Sequence, residues 1–229
     1  MARRRARKLS APKFFFYSVT LILLLVAAAS LIGLVIGALS DLTASISFTV
    51  CFSLLLSFIV VSYLLHKGKS LKKIVKELGL SRSALTTKTI GYGILLFAIY
   101  IVILFAVAAY SVTTGNQVNS NVQQALGGYP LWAIVFVSVI APLNEEIAFR
   151  GFLVPRIGFL ASGILFGILH FGYGSWSEII VALWFGITGG YVFKRTKSLY
   201  PTLITHMAVN VLTAITILSV IHPMMSLVH

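Results

Sequence analysis

The chain has 229 residues, 59% of them hydrophobic and only 10% charged, against about 25% charged in soluble domains. With a mean hydropathy of +1.00 it reads as one all-α, polytopic integral membrane domain, which excludes a soluble globular protein. A formal charge of +13 would suit a nucleic-acid binder, but the basic residues fall where cytoplasmic loops belong, so no nucleic acid is expected as a partner. The single cysteine, Cys51, permits no intramolecular disulfide.

Residues 1–13 carry Arg3, Arg4, Arg5, Arg7, Lys8 and Lys13 and read as a basic cytoplasmic N-terminus. The apolar run from Phe14 to Leu39 exceeds the core of a secretory signal, about 7–15 residues, so it reads as an uncleaved first span. Asp41 suits the N-cap of a second span, Leu42 to Leu65. In the basic loop 66–88, Leu71, Ile74, Val75 and Leu78 recur at helical spacing before Gly79. That pattern predicts a short amphipathic helix lying on the anionic cytoplasmic leaflet. A third span over about 89–112 completes the N-terminal part, 14–128, and 113–128 reads as an uncharged outer loop.

The remaining core, 129–221, is expected to hold four spans, at about 129–154, 157–173, 178–193 and 199–221, followed by a tail, 222–229. Ser175 and Glu178 have the spacing of a capping box, so Glu178 reads as a helix cap. Seven spans put the N-terminus in the cytoplasm and the C-terminus outside. All eighteen Lys and Arg then lie at the inner side, as the positive-inside rule requires. Gly33/Gly37, Gly163/Gly167 and Gly186/Gly190 are small-residue pairs that let membrane helices approach closely.

Two of the five acidic residues are adjacent within an apolar span, as Glu145 and Glu146. Carboxylates at such depth are costly and mark functional sites. Glu146 and Arg150 are four apart on one helical face, acid first, and form the natural ion pair. Glu145 is turned roughly 100° away and is left for chemistry. His170 ends the run Phe166-Gly167-Ile168-Leu169-His170, and His206 and Asn210 share a face of the last helix. At 1.5 Å per residue, Glu145 lies ~15 Å in from Pro155, His170 ~20 Å in from Arg156, and His206 ~8–11 Å into its helix. These depths allow one buried polar site between the inner leaflet and mid-membrane. His66, His222 and His229 stand at span ends or in the tail and receive no role.

A carboxylate and an imidazole can polarise a water for attack on a carbonyl. A second imidazole and a carboxamide can donate to the resulting oxyanion. No zinc motif of the helix-borne H-E-x-x-H kind is present, although Glu145, His170 and His206 plus water would meet the ligand count of a zinc site.

The three motifs Glu145-Glu146-x-x-x-Arg150, Phe166-x-x-x-His170 and His206-x-x-x-Asn210, in that order, resemble the CAAX-protease and bacteriocin-processing family, which includes the type II CAAX prenyl proteases. The resemblance covers about 130–212. It implies a metal-independent glutamate protease with no cofactor or prosthetic group. In that reading Glu145 and His170 activate water, His206 and Asn210 form the oxyanion hole, and Glu146, Arg150 and Phe166 support the site. The expected activity is endoproteolysis of a membrane-tethered peptide or protein, CAAX-like and prenylated in the better-known members, near the cytoplasmic face. Two other classes fit the polar set: a transporter or proton relay using Glu145 and the histidines, and a non-catalytic membrane scaffold.

Overall fold

The computed structural model describes residues 11–39, 44–114, 126, 128–173 and 176–225. The expectations for residues 1–10, Asp41, Ser175, most of the outer loop and the end of the tail lie outside the described residues. The long apolar runs form helices α1 (Ala11–Leu39), α2 (Ala44–His66), α4 (Thr87–Thr114), α5 (Leu131–Ile157), α7 (Trp176–Thr196) and α8 (Tyr200–Met225), with the short helices α3 (Leu71–Glu77) and α6 (Phe159–Leu169) between them. Every described element is helical, as hydrocarbon surroundings demand of a backbone whose polar groups must be satisfied internally. Large apolar side chains on the outer faces, among them Leu23, Leu31 and Leu34 of α1 and Ile94, Val102 and Phe105 of α4, are exposed, as lipid-facing positions would be.

Six of these helices are long and apolar enough to cross a membrane. The expected span at 157–173 takes another form. Its helix is cut to 11 residues, about 17 Å, by Gly158 at φ +87° before it and by a 3-10 turn, His170–Tyr173, after it. α6 runs antiparallel to α7, with Gly163 packed on Gly186 and Gly167 on Leu183. A Cβ on Gly163 would stand 2.6 Å from the Ile187 nitrogen and 2.7 Å from the Gly186 carbonyl carbon, so the contact of the two backbones requires glycine. Lipid supplies no hydrophobic drive for such pairing, and close van der Waals packing replaces it. The last helix extends past the expected 221, to Met225.

The amphipathic α3 departs in part from its expected role. Leu71 and Val75 are exposed, but Ile74 and Leu78 are buried in the protein core, with Leu78 against Gly151 of α5. α3 is thus half exposed and half a cap on the bundle. Gly79, at φ +77°, turns the chain so closely past Lys197 that any Cβ would lie 2.8 Å from its carbonyl oxygen. The Leu199 N–H donates to Gly79 O at 3.0 Å, and the Tyr200 hydroxyl donates to Leu80 O at 2.8 Å. Glu77 ties the layer to α5 through Arg156 at 3.1 Å and is also ion-paired with Lys69. Burial pushes the Glu77 carboxyl up, but Lys69 and Arg156 outweigh it and leave the group below its ordinary value. The α3 layer, the C-terminal ends of α5 and α7 and the start of α8 therefore share one face of the bundle.

α5 is the central helix, packed against α2, α6, α7 and α8. It is not a regular α-helix. Two stretches, Phe136–Ile140 and Ile147–Leu153, are π-helical, a wide winding often found at functional sites. The readable cause of the first is Pro142, which has no N–H to give.

Candidate functional site

Glu145 and Glu146 lie where α5 is enclosed by α7 and α8. Glu146 is fully buried, and its Oε1 takes two contacts: Arg150 Nη1 at 2.9 Å and His206 Nδ1 at 3.1 Å. The expected ion pair is therefore present, and it has a third member. Arg150, also fully buried, donates from Nη2 to Phe185 O at 3.2 Å. Its guanidinium lies 4.2 Å from the Phe166 ring centre and 4.8 Å from that of Phe185, a cation–π setting that offsets part of the cost of burial. Thr202, likewise buried, donates its hydroxyl to Leu199 O at 3.1 Å.

His206 joins the two carboxylates. Its Nδ1 faces Glu146, and its Nε2 faces Glu145 Oε2 at 3.9 Å. Because a carboxylate accepts, Nδ1 carries the proton in the contact with Glu146, which fixes the ring's orientation and turns Nε2 toward Glu145. Phe185 and Phe166 hold the ring edge-on, with centroids 5.1 and 5.9 Å away. Four expected site residues thus form one chain, Glu145–His206–Glu146–Arg150. Local spacing could pair only Glu146 with Arg150. The link to His206 crosses 60 residues and has no local signature.

His170 enters from the turn after α6. Its Nδ1 lies 2.8 Å from Phe166 O, so Nδ1 carries the proton and Nε2 the lone pair. The ring lies 4.6 Å from that of Phe166, which makes Phe166 the common wall of both histidines and of Arg150. Asn210, one turn beyond His206, donates from Nδ2 to Val137 O at 3.2 Å. Among the described residues no three His, Cys, Asp or Glu side chains form a group that could hold a metal ion, the trio Glu145, His170 and His206 included.

Glu145, Phe166, His170, His206 and Asn210 all line one cavity of about 380 Å³. Glu145, Phe185, His206 and Tyr100 form its floor. Every other lining residue on α4, α5, α7 and α8 lies farther from the α3 layer: Val107 and Ala108, Val137 and Ser138, Val181 and Glu178, Val209 and Thr213. The cavity therefore extends away from the basic face. Tyr100 and Glu178 are lining residues that the sequence motifs do not mark as site groups. Tyr100 gave no signal within its apolar run. Glu178 gave one, as an acidic residue beside an apolar span, but its capping spacing supplied a local explanation.

These features define a class: a polytopic helical membrane protein with a carboxylate–imidazole site at the base of an intramembrane cavity. Residues 127–212 match the family described as Rce1-like, type II CAAX prenyl endopeptidase. The match contains all three motifs and is consistent over this segment with the family that they resemble. The chain is also similar to the UPF0177 protein YxdF of Lactococcus lactis subsp. lactis (strain IL1403), 26% identical over 98 residues, 40% of this chain and 54% of the relative. It is 28% identical over 82 residues to the uncharacterized protein YpbD of Bacillus subtilis (strain 168), 35% of this chain and 43% of the relative. The chain spans about half the length of these curated relatives. No solved structure matches it.

Proposed function

We propose that this chain is an intramembrane endopeptidase that hydrolyses a peptide bond of a membrane-tethered peptide or protein, a prenylated CAAX-like chain being one substrate of that kind. The observation that carries the reading is the chain Glu145–His206–Glu146–Arg150 on the cavity floor, with His170 and Asn210 on the same wall system. It leaves one carboxylate, Glu145, in contact with the cavity and commits the other to structure.

In the proposed mechanism Glu145 takes a proton from a water held with the Nε2 lone pair of His170. The hydroxide attacks the peptide carbonyl carbon, and the carbonyl oxygen becomes an oxyanion. His206 donates to it from Nε2 and Asn210 from Nδ2. His206 must then carry protons on both nitrogens, with Glu146 accepting from Nδ1. Collapse of the intermediate breaks the C–N bond, and Glu145 returns its proton to the leaving amine. Phe166 and Phe185 exclude water from the floor. No metal enters any step.

We further assign the α3 layer and N-terminus to the cytoplasm and the C-terminus to the outside, on the distribution of Lys and Arg. The substrate then reaches the floor from the half of the membrane away from the cytoplasm, because the cavity extends from the floor in that direction, and the scissile bond lies at the depth of Glu145 and His206. This differs from the cytoplasmic approach expected from sequence. The test is purified full-length protein in lipid nanodiscs, incubated with single-span peptides and followed by mass spectrometry. Wild type is expected to cut and Glu145→Gln, of equal size but without the base, to be inert with an unchanged melting temperature. Full activity of Glu145→Gln would sink the assignment.

A further inference from the structure

Glu178 belongs to the cavity rather than to the helix end alone. Along α7, Glu178, Val181, Ala182 and Phe185 all line the cavity, and their spacing of i, i+3, i+4 and i+7 is one continuous helix face. A capping carboxylate needs only to meet its own backbone. This one stands on the inward stripe, half-buried, and has no hydrogen-bond or ion-pair partner among the described residues. Among the described residues no Lys or Arg lines the cavity, and the guanidinium beneath its floor, Arg150, is committed to Glu146. In a chain of +13 the cavity is thus a local acidic pocket holding two carboxylates, Glu145 and Glu178. A carboxylate in an apolar, partly desolvated wall is costly unless a cation meets it.

Resting on the endopeptidase reading, we propose that Glu178 is a specificity residue that binds a cationic group of the substrate, a Lys or Arg side chain or a terminal amine. The register follows from the helix. Phe185 packs on His206 at 5.1 Å, and Glu178 is two turns farther along the same stripe, roughly 10 Å. An extended peptide advances about 3.3 Å per residue, so the cation belongs about three residues from the scissile bond. Tyr100, which also lines this wall, borders the same path.

The experiment uses full-length protein in nanodiscs and a set of single-span Leu/Ala peptides carrying one Lys, norleucine or Glu, stepped through successive positions. Cleavage is read by mass spectrometry and binding by fluorescence anisotropy of the same peptides. Wild type is expected to favour Lys over norleucine at least about tenfold, equivalent to 1.4 kcal/mol, when the Lys is about three residues from the cut. Glu178→Gln removes this preference, and Glu178→Lys transfers it to the Glu peptides. Equal handling of Lys and norleucine at every register by wild type overturns the proposal, and that result needs no variant to fold. A Lys preference in binding with no cleavage of any peptide supports the Glu178 site while refuting hydrolysis. Cleavage without a charge preference does the reverse.

Discussion

Glu146→Gln separates the two duties of the buried carboxylate. Glu146 is wholly buried and touches both Arg150, at 2.9 Å, and His206, at 3.1 Å. Gln keeps the volume but removes the charge that neutralises a guanidinium which is itself only 1% exposed. Breaking a buried pair on one side costs about 3–5 kcal/mol, or about 6–20 °C of melting temperature on the scaling for soluble domains of this size. The same change takes the anion from His206 Nδ1, so the ring loses its fixed orientation and activity falls by roughly 10²–10⁴. The double variant Glu146→Gln/Arg150→Met removes both charges and is expected to recover most of the melting temperature, since neutral replacement of a buried pair is often harmless. It stays inactive, because His206 is still unanchored. The assays are peptide cleavage and thermal unfolding in one detergent. A Glu146→Gln protein that melts within about 1 °C of wild type, or a double variant that cleaves normally, would refute this account.

Asn210→Ala is expected to lower kcat by roughly 10²–10³ with little change in KM, the usual consequence of losing one oxyanion donor. Activity should also survive strong chelators, and loss on chelation with restoration by zinc would overturn the carboxylate mechanism while leaving hydrolysis intact. Gly163→Ala forces a methyl group to within 2.6–2.8 Å of the α7 backbone and should destabilise by about 1–3 kcal/mol, whereas Gly91→Ala, with nothing within 4 Å, should be neutral. Equal melting temperatures for the two would contradict the close α6–α7 packing. Single cysteines in a Cys51→Ala background at Ser70 and Lys197, both exposed on the α3 face, should label from the cytoplasm, and one at Asn119 from outside. Ser198, the neighbour of Lys197, is wholly buried and unsuitable as a reporter. Labelling of Asn119 from the cytoplasm would remove the proposed orientation.

Much of the architecture is legible because hydrocarbon allows few solutions: a long apolar run between charged loops is a helix, and its ends lie near the first polar residues. The reading weakens where tertiary contact decides. Residues 157–173 look like a span because they are apolar throughout, and only Gly158 marks the break that shortens α6. The apolar stripe of α3 reads as a membrane face, but composition cannot say that Ile74 and Leu78 will turn to the protein while Leu71 and Val75 do not. For the site, the motifs point to side chains that the structure gathers at one cavity or directly beneath it, and Glu146–Arg150 follows from spacing. The contacts of His206 with both glutamates do not, since they join helices 60 residues apart. Glu178 shows a different failure: a sufficient local explanation concealed the longer stripe to Phe185.

The irregularity of α5 and the placement of Asn210 have a common cause. In the wide winding of Phe136–Ile140, the Ala141 N–H donates to Phe136 O, five residues back. Continuing that register would pair Val137 O with residue 142, which is proline and has no N–H. In that register the Val137 carbonyl would lack a backbone donor, in surroundings where an unsatisfied carbonyl is expensive. Asn210 supplies the missing N–H at 3.2 Å. One of its two amide protons is thereby fixed, which orients the carboxamide; in the proposed mechanism the second proton on the same nitrogen meets the substrate oxygen. Three residues after Pro142 comes Glu145. The backbone defect, the docking of α8 against α5 and the presentation of a donor beside the carboxylate are then one event, and it explains why a helix at the centre of the bundle carries a proline in its interior.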